Sequence, residues 1–287
     1  MRTCAMLMTL PLTINRDSNT HLLICDMKTG KLYISITIVI TWWALTGCSS
    51  KTKVDIPRKN VPPEAIQTAL SSCDGLFKQR EDLDKLRTAI KTLADVRDAD
   101  NRNYQVEWTY SKYNFFLGKH TTNEDEAEAA LGQGRDAGKI ASRIEPQKPD
   151  GHFWYAANLG ELSKRSPITV GLKSVDDIKE AMNKVLEIQP DYQGASAYDA
   201  LGQVELMTRL KGGDAQKAVD YFEKGLQLAP DNTNLKLHLG EAYLAVKRDA
   251  DARKQLDQLL AMKPNPEYMP EYRECVDKAR KLIETNF

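Results

Sequence analysis

The 287-residue sequence contains no pattern that would carry catalysis or hold a metal. Its five cysteines, Cys4, Cys25, Cys48, Cys73 and Cys275, never fall as C-x-x-C, which argues against a zinc knuckle or a thioredoxin-like redox site. His120, His152 and His238 lie far apart, with no H-E-x-x-H to pair two of them on one helix face. There is no G-x-S-x-G nucleophile turn and no P-loop. The run Gly132-Gln-Gly134-Arg-Asp-Ala-Gly138 follows a helical pattern rather than a strand, so it reads as helix-packing glycines and not as a nucleotide loop. Glu124-Asp125-Glu126 reads as the acidic first turn of a helix rather than as paired carboxylates. The expectation is a protein that is not an enzyme and needs no cofactor and no metal. Charge of one sign is missing as well. Lys+Arg and Asp+Glu are both 40, and residues 1–47 hold four basic against two acidic residues, so the rest is slightly acidic. That leaves no basic footprint for nucleic acid.

What the sequence does have begins near its start. Residues 27–48 read MKTGKLYISITIVITWWALTGC: two lysines, then Leu32–Leu45 without a charge, then Leu-Thr-Gly-Cys. The uncharged run is short of the ~20 apolar residues of a comfortable membrane span. It matches the h-region of a signal peptide. The ending resembles a bacterial lipobox, which makes Cys48 the lipidation site. Residues 1–26 ahead of it read as upstream sequence, with Met27 the start, residues 27–47 as the lipoprotein signal peptide, and residues 48–62 as an extended tether. Ser49 and Ser50 after the lipidated cysteine suit a place on the periplasmic side of the outer membrane, anchored through lipid.

From residue 63 to 287, strand signals are nearly absent and apolar residues recur at helical spacing. The pattern repeats. Leu239-Gly240, Tyr243, Ala252, Leu256 and Pro264 match the offsets of a tetratricopeptide unit. Leu201-Gly202, Ala218, Phe222, Gly225 and Pro230 give the unit before it, with Lys211-Gly212-Gly213-Asp214 as its turn and Asp214 as an N-cap. Leu159-Gly160, Ile178, Met182, Val185 and Pro190 give the one before that, with Ser174 and Asp177 placed as a capping box. Trp108–Gly118 with a partner helix from Glu124 to about Ile144, and Glu64–Lys78 with Leu83–Val96, make two more hairpins. Pro270–Thr285 reads as a terminal cap. The expectation is all-α: a tetratricopeptide-like, right-handed α-solenoid of about five helical hairpins with a C-terminal capping helix.

The repeat register places Trp154, Ala157, Glu161 and Lys164 on the concave surface. It adds Asp199, Gln203, Leu206 and Met207 from the next unit, and Leu237, Glu241 and Leu244 from the last. Trp154 with Asn158 reads as a flat apolar platform beside an amide. The ligand or partner surface expected is therefore Trp154, Ala157, Asn158, Glu161, Gln203, Met207, Leu237 and Glu241, a mixture that suits an organic ligand or a peptide.

Phe153–Gly160, reading FWYAANLG, followed by Pro190-Asp191-Tyr192 and Ala200-Leu201-Gly202, resembles the T-component family of TRAP transporters, which are tetratricopeptide-like periplasmic lipoproteins. The resemblance spans roughly Pro63 to Leu282 and is sharpest over Asp150–Pro230. Members often carry a tryptophan where this chain has Glu161-Leu162. The resemblance implies a lipid-anchored accessory protein that binds a periplasmic solute-binding protein, forms a homo-oligomer, and encloses a cavity for an apolar or organic-acid ligand. The alternative is a tetratricopeptide scaffold for envelope or outer-membrane assembly.

Overall fold

The computed structural model describes residues 56–166 and 171–287. Cys48, the upstream and signal segments, and the first part of the expected tether lie outside them. Eleven α-helices follow one another: α1 (Pro63–Phe77), α2 (Leu83–Asp95), α3 (Tyr104–His120), α4 (Glu124–Ile144), α5 (Pro149–Arg165), α6 (Leu172–Ile188), α7 (Tyr192–Met207), α8 (Ala215–Leu228), α9 (Thr233–Ala245), α10 (Asp249–Leu260) and α11 (Met269–Asn286). Among the described residues there is no strand. Each helix packs on the next, giving five hairpins and a terminal helix. This is an α-solenoid, as the repeat pattern predicts.

Local chemistry explains where the helices begin. Asp82, Asn103, Asn123, Asp214 and Asn232 each accept a hydrogen bond from a backbone N–H of the first turn. Each such cap is worth ~1 kcal/mol against alanine. Pro63 and Pro149 stand at first helical positions, where the missing N–H costs nothing. One start differs from expectation. α6 begins at Leu172 with Gly171 ahead of it, so Ser174 lies inside the helix and is buried rather than acting as the N-cap. Ile56–Pro62, the end of the expected tether, forms no helix and is hydrogen-bonded to the α2–α3 connection. Lys59 N–H donates to Asp98 Oδ1 at 3.0 Å, its Nζ donates to the Asp95 carbonyl at 2.9 Å, and Ala99 N–H donates to the Pro57 carbonyl at 3.2 Å.

The first turn of α7 is left-handed. Gln193, Gly194 and Ala195 have φ of 49°, 64° and 60°. For the two non-glycine residues this conformation costs ~1–2 kcal/mol each. Asn232 on the next hairpin donates to the Gly194 carbonyl at 2.6 Å and holds the turn.

The helices approach most closely around α4, whose buried face is Ala127, Ala130, Gly134, Ala137, Gly138 and Ala141, with Leu131 the one large residue. A Cβ on Gly138 would lie 2.5 Å from the backbone nitrogen of Tyr155, and one on Gly151 would lie 2.3 Å from that of Ser142. α4 and α5 therefore touch backbone to backbone. Gly202 and Gly240 abut Phe222 and Leu256, as the repeat predicts. Gly160 does not follow this rule. The repeat pattern puts it at a hairpin contact, yet a Cβ there would meet nothing within 4 Å. The two glycines should respond oppositely to alanine. Gly138→Ala forces two backbones apart and should lower stability by about 1–3 kcal/mol. Gly160→Ala should be neutral or raise it by roughly 0.5–1 kcal/mol. Urea unfolding of both variants measures the pair, and equal effects would contradict the packing described.

Candidate functional site

The inner face of the stack lines a cavity of about 850 Å³ that is open to solvent, with the exposed side chains of Met207 and Leu210 among its lining residues. One wall is aromatic. Trp154, 4% exposed, meets Phe153 edge-on at 4.9 Å between centroids, with Phe115 and Phe116 at 5.6 and 6.2 Å. Ile178 and Met182 of α6 continue that wall. The indole N–H of Trp154 is buried, and it approaches the Tyr192 hydroxyl without reaching hydrogen-bond geometry. Tyr192 is anchored elsewhere: its hydroxyl donates to Asp150 at 2.7 Å, and so does that of Tyr104. The two phenols tie α3 and α7 to the first turn of α5.

A polar chain crosses the cavity from α5 to α9. Lys164 pairs with Glu161 at 2.7 Å and donates to the Gln203 carbonyl at 3.3 Å. Gln203 donates to Asp199 at 2.6 Å, and Asp199 pairs with His238 Nδ1 at 2.7 Å.

The third side is where the chain meets itself. Arg80, in the α1–α2 turn, grips Glu271 of α11 at 2.8–3.0 Å and donates to the Glu267 carbonyl at 2.8 Å. Lys119 at the end of α3 pairs with Glu274 at 3.0 Å. The α1–α2 turn and the end of α3 thus meet α11, closing the stack into a ring beside the cavity.

Six of the residues expected on the surface are placed as follows. Trp154, Ala157, Glu161, Gln203 and Met207 line the cavity, with Met207 58% exposed. Glu241 stands outside the lining, near enough to His238 and Lys278 to favour their charged forms. The other two belong to the core. Asn158 is fully buried between α3 and α4: its Nδ2 donates to Ser111 and to the Trp154 carbonyl, and its Oδ1 faces Gly134. Leu237 packs with Leu256, Leu259, Cys275 and Ala279 beneath α11. The register on α9 is therefore displaced by one residue from the expected one, and Asn234 and His238 face the cavity instead. The α11 residues Glu271, Tyr272 and Lys278 also line it, although the sequence marked that helix only as a cap. Among the described residues no group of three or more His, Cys, Asp or Glu gathers as a metal site, and no helix is long and apolar enough to cross a membrane.

Comparison with known proteins agrees with this geometry. Residues 69–203 match the family described as regulator of microtubule dynamics protein 1-3, and residues 209–269 match the tetratricopeptide repeat family. A thermophilic tetratricopeptide protein of Thermus thermophilus superposes with a TM-score of 0.57 at 16% identity, over 75% of this chain and 98% of that one. The chain is a tetratricopeptide-like protein. A crystal structure of MamA covers 78% of the tetratricopeptide-like chain and 97% of its own, with TM-score 0.46 and 14% identity. The Hsp70-Hsp90 organizing protein of Triticum aestivum is 32% identical over 126 residues, 42% of this chain. The match spans only 20% of that relative's length.

Electrostatics in the tetratricopeptide-like ring is a matter of pairing. Burial opposes charge on His238, but the Asp199 carboxylate outweighs it, with Glu241 helping and Lys164 opposing, and the imidazole pKa is raised. Burial likewise works against Glu274, yet Lys119 and Lys278 hold its pKa down to about 2. A raised histidine pKa stabilises the fold fully below the ordinary value of about 6.5 and loses that contribution as pH rises through the raised value. The His238 ring should therefore titrate above the ordinary value by NMR. In Asp199→Asn it should fall below that value, because burial then acts without its counterweight. An unmoved midpoint would show that the pair does not set it.

Proposed function

We propose that the chain is a lipid-anchored periplasmic accessory protein of the T-component type, which holds a small apolar ligand inside its helical ring and docks a solute-binding protein. The tetratricopeptide-like fold is that of a protein–protein interaction scaffold, and scaffolds of this kind need no catalytic centre. The observation that carries the finer reading is that Phe153–Gly160, on which the family resemblance rests, is also the segment that walls the cavity. A volume of about 850 Å³ matches the ~300–1,000 Å³ of small-molecule sites and is too small for a folded partner, so a protein would dock outside.

Charge pairing supports an apolar ligand over an organic acid. Within the lining, Lys119 and Lys278 are paired with Glu274, Lys164 with Glu161, and Asp199 with His238. A ligand carboxylate would have to displace one of these partners, and breaking a partly buried pair leaves a charge uncompensated. Lys211 and Lys263 have no ion pair among the described residues, but both are exposed. An apolar molecule lying on Trp154, Phe115, Phe153 and Met182 disturbs none of this.

The test uses N-phenyl-1-naphthylamine, a neutral apolar fluorophore, with the full chain. Binding should be saturable, and Gly160→Trp, which fills the cavity from an open position, should weaken it at least tenfold. Equal affinity in that variant would place the dye elsewhere and overturn the cavity as the site. The anchor is tested separately. Cys48→Ser should move the protein from the membrane to the soluble fraction, and an unchanged membrane fraction would argue against acylation. Pull-down from a membrane extract should recover a solute-binding protein, whereas recovery of envelope-assembly proteins alone would favour the scaffold alternative.

A further inference from the structure

The polar chain across the cavity has a fixed direction. A lysine can only donate and a carboxylate can only accept. Lys164 Nζ therefore donates to Gln203 Oε1, Gln203 Nε2 donates to Asp199 Oδ2, and Asp199 Oδ1 accepts the proton on His238 Nδ1. That last bond sets the tautomer: a neutral His238 carries its one proton on Nδ1. Its Nε2 is left over. This nitrogen has no hydrogen-bond partner among the described residues and is not sealed from solvent. His238 lines the cavity, so Nε2 opens into it.

Asn234 stands one helical turn earlier on α9 and lines the same cavity. Residues four apart on a helix lie side by side. Its Oδ1 accepts from the thiol of Cys275 on α11 at 3.3 Å, which fixes the amide and leaves Nδ2 over. That Nδ2 also has no partner among the described residues and is not sealed from solvent. α9 thus presents two neighbouring nitrogens, one held from behind by α7 and the other by α11. Across the cavity, Phe153 and Trp154 of α5 with Ile178 and Met182 of α6 form the apolar wall.

We infer that Asn234 and His238 are the polar end of the ligand site, and that the ligand is an uncharged apolar molecule with one carbonyl oxygen, which accepts from Asn234 Nδ2 and His238 Nε2 while its body lies along Trp154, Phe153 and Met182. The inference rests on the cavity being a ligand site. That the ligand is uncharged follows from the surroundings. The charges that bear on His238 are Asp199 on α7, Glu241 on α9 and Lys164 on α5, and α8 contributes only the Phe222 ring at 6.0 Å. Lys278 of α11 is paired with Glu274. An imidazolium backed by Asp199 and Glu241 offers no net positive charge to a carboxylate. A carbonyl oxygen accepts two hydrogen bonds without bringing charge of its own. It also makes binding depend on pH. With the Nδ1 proton held by Asp199, only the charged ring has a second proton to donate, and its raised pKa extends that form above the ordinary histidine range. Above the His238 midpoint, Nε2 turns a lone pair toward the carbonyl.

Two neutral dyes separate the polar end from the rest of the cavity. Prodan (6-propionyl-2-dimethylaminonaphthalene) carries a ketone, whereas N-phenyl-1-naphthylamine has no oxygen. With the full chain, Prodan should bind most tightly in mild acid and lose affinity as pH rises through the His238 midpoint measured by NMR. N-phenyl-1-naphthylamine affinity should stay level. His238→Leu should weaken Prodan about tenfold, the effect of one hydrogen bond from a charged donor, and remove the pH dependence. Asn234→Leu should weaken Prodan less and keep the pH dependence. Both variants should bind N-phenyl-1-naphthylamine as the wild-type chain does, which reports an intact cavity. Asp199→Asn leaves both nitrogens in place and should move the loss of Prodan affinity to lower pH. Prodan affinity that ignores pH in the wild-type chain overturns the inference and leaves the cavity reading standing. So does a His238→Leu variant that holds both dyes unchanged. If neither dye binds the wild-type chain, the cavity reading and the inference fall together.

Discussion

The contact that fixes the rest of this molecule is the backbone approach of α4 to α5 at Gly138–Tyr155 and Gly151–Ser142. Two helices without side chains between them cannot slide or roll without collision, so the angle between the second and third hairpins is set there. The Asn158 side chain braces the same joint, tied to Ser111 of α3 and facing Gly134 of α4. Fixing that edge of α5 against α3 and α4 leaves the adjoining stripe, Trp154–Ala157–Glu161–Lys164, turned toward the cavity. Asn158 lost its place on the ligand surface for the same reason that Trp154 gained one.

At the far side of the stack α11 returns to the α1–α2 turn, and the groups that meet there are charged. The less exposed charges of the lining are paired: Lys119 and Lys278 with Glu274, Lys164 with Glu161, Glu271 with Arg80 and Asp199 with His238. Deeper still, Arg97 and Arg102 pair with Glu107 at 2.6 and 3.1 Å in the core of the first two hairpins, and the Arg97 guanidinium lies 4.2 Å from the Tyr110 ring centre. Such pairs add little net stability over apolar packing, but a half-removed pair is costly, so they fix which helices face one another. The helices are thus held together by the apolar clusters along the stack, and the ion pairs specify which charged faces meet.

Much of this was legible in the sequence. Proline stops, Asx caps and the Leu-Gly, aromatic, Ala, Pro spacing gave eleven helices in five hairpins and a cap, because those signals are local. What depends on distant partners was not. Nothing in Leu237 or His238 tells which of them turns inward, since α11, packed over Leu237, decides it. His238 carried no signal alone, and its partner Asp199 is 39 residues away. Arg80 and Glu271 are 191 residues apart, and ring closure has no repeat signature. The left-handed turn at Gln193–Ala195 could be suspected only from Gly194, and a single glycine in a helical pattern is usually a packing site.

The aromatic cluster joins the two halves of this account. Phe77 stacks on Tyr113 at 4.6 Å and meets Phe116 edge-on at 5.1 Å, and Phe116 in turn neighbours Trp154. Lys112 sits with its ammonium 4.4 Å from the Phe77 ring centre and 5.8 Å from that of Trp154, its pKa lowered first by burial and then by Arg80. The Phe116 ring thus lines the cavity and also lies under the Arg80 guanidinium that grips Glu271, so the wall of the cavity and the contact of the α1–α2 turn with α11 share one side chain.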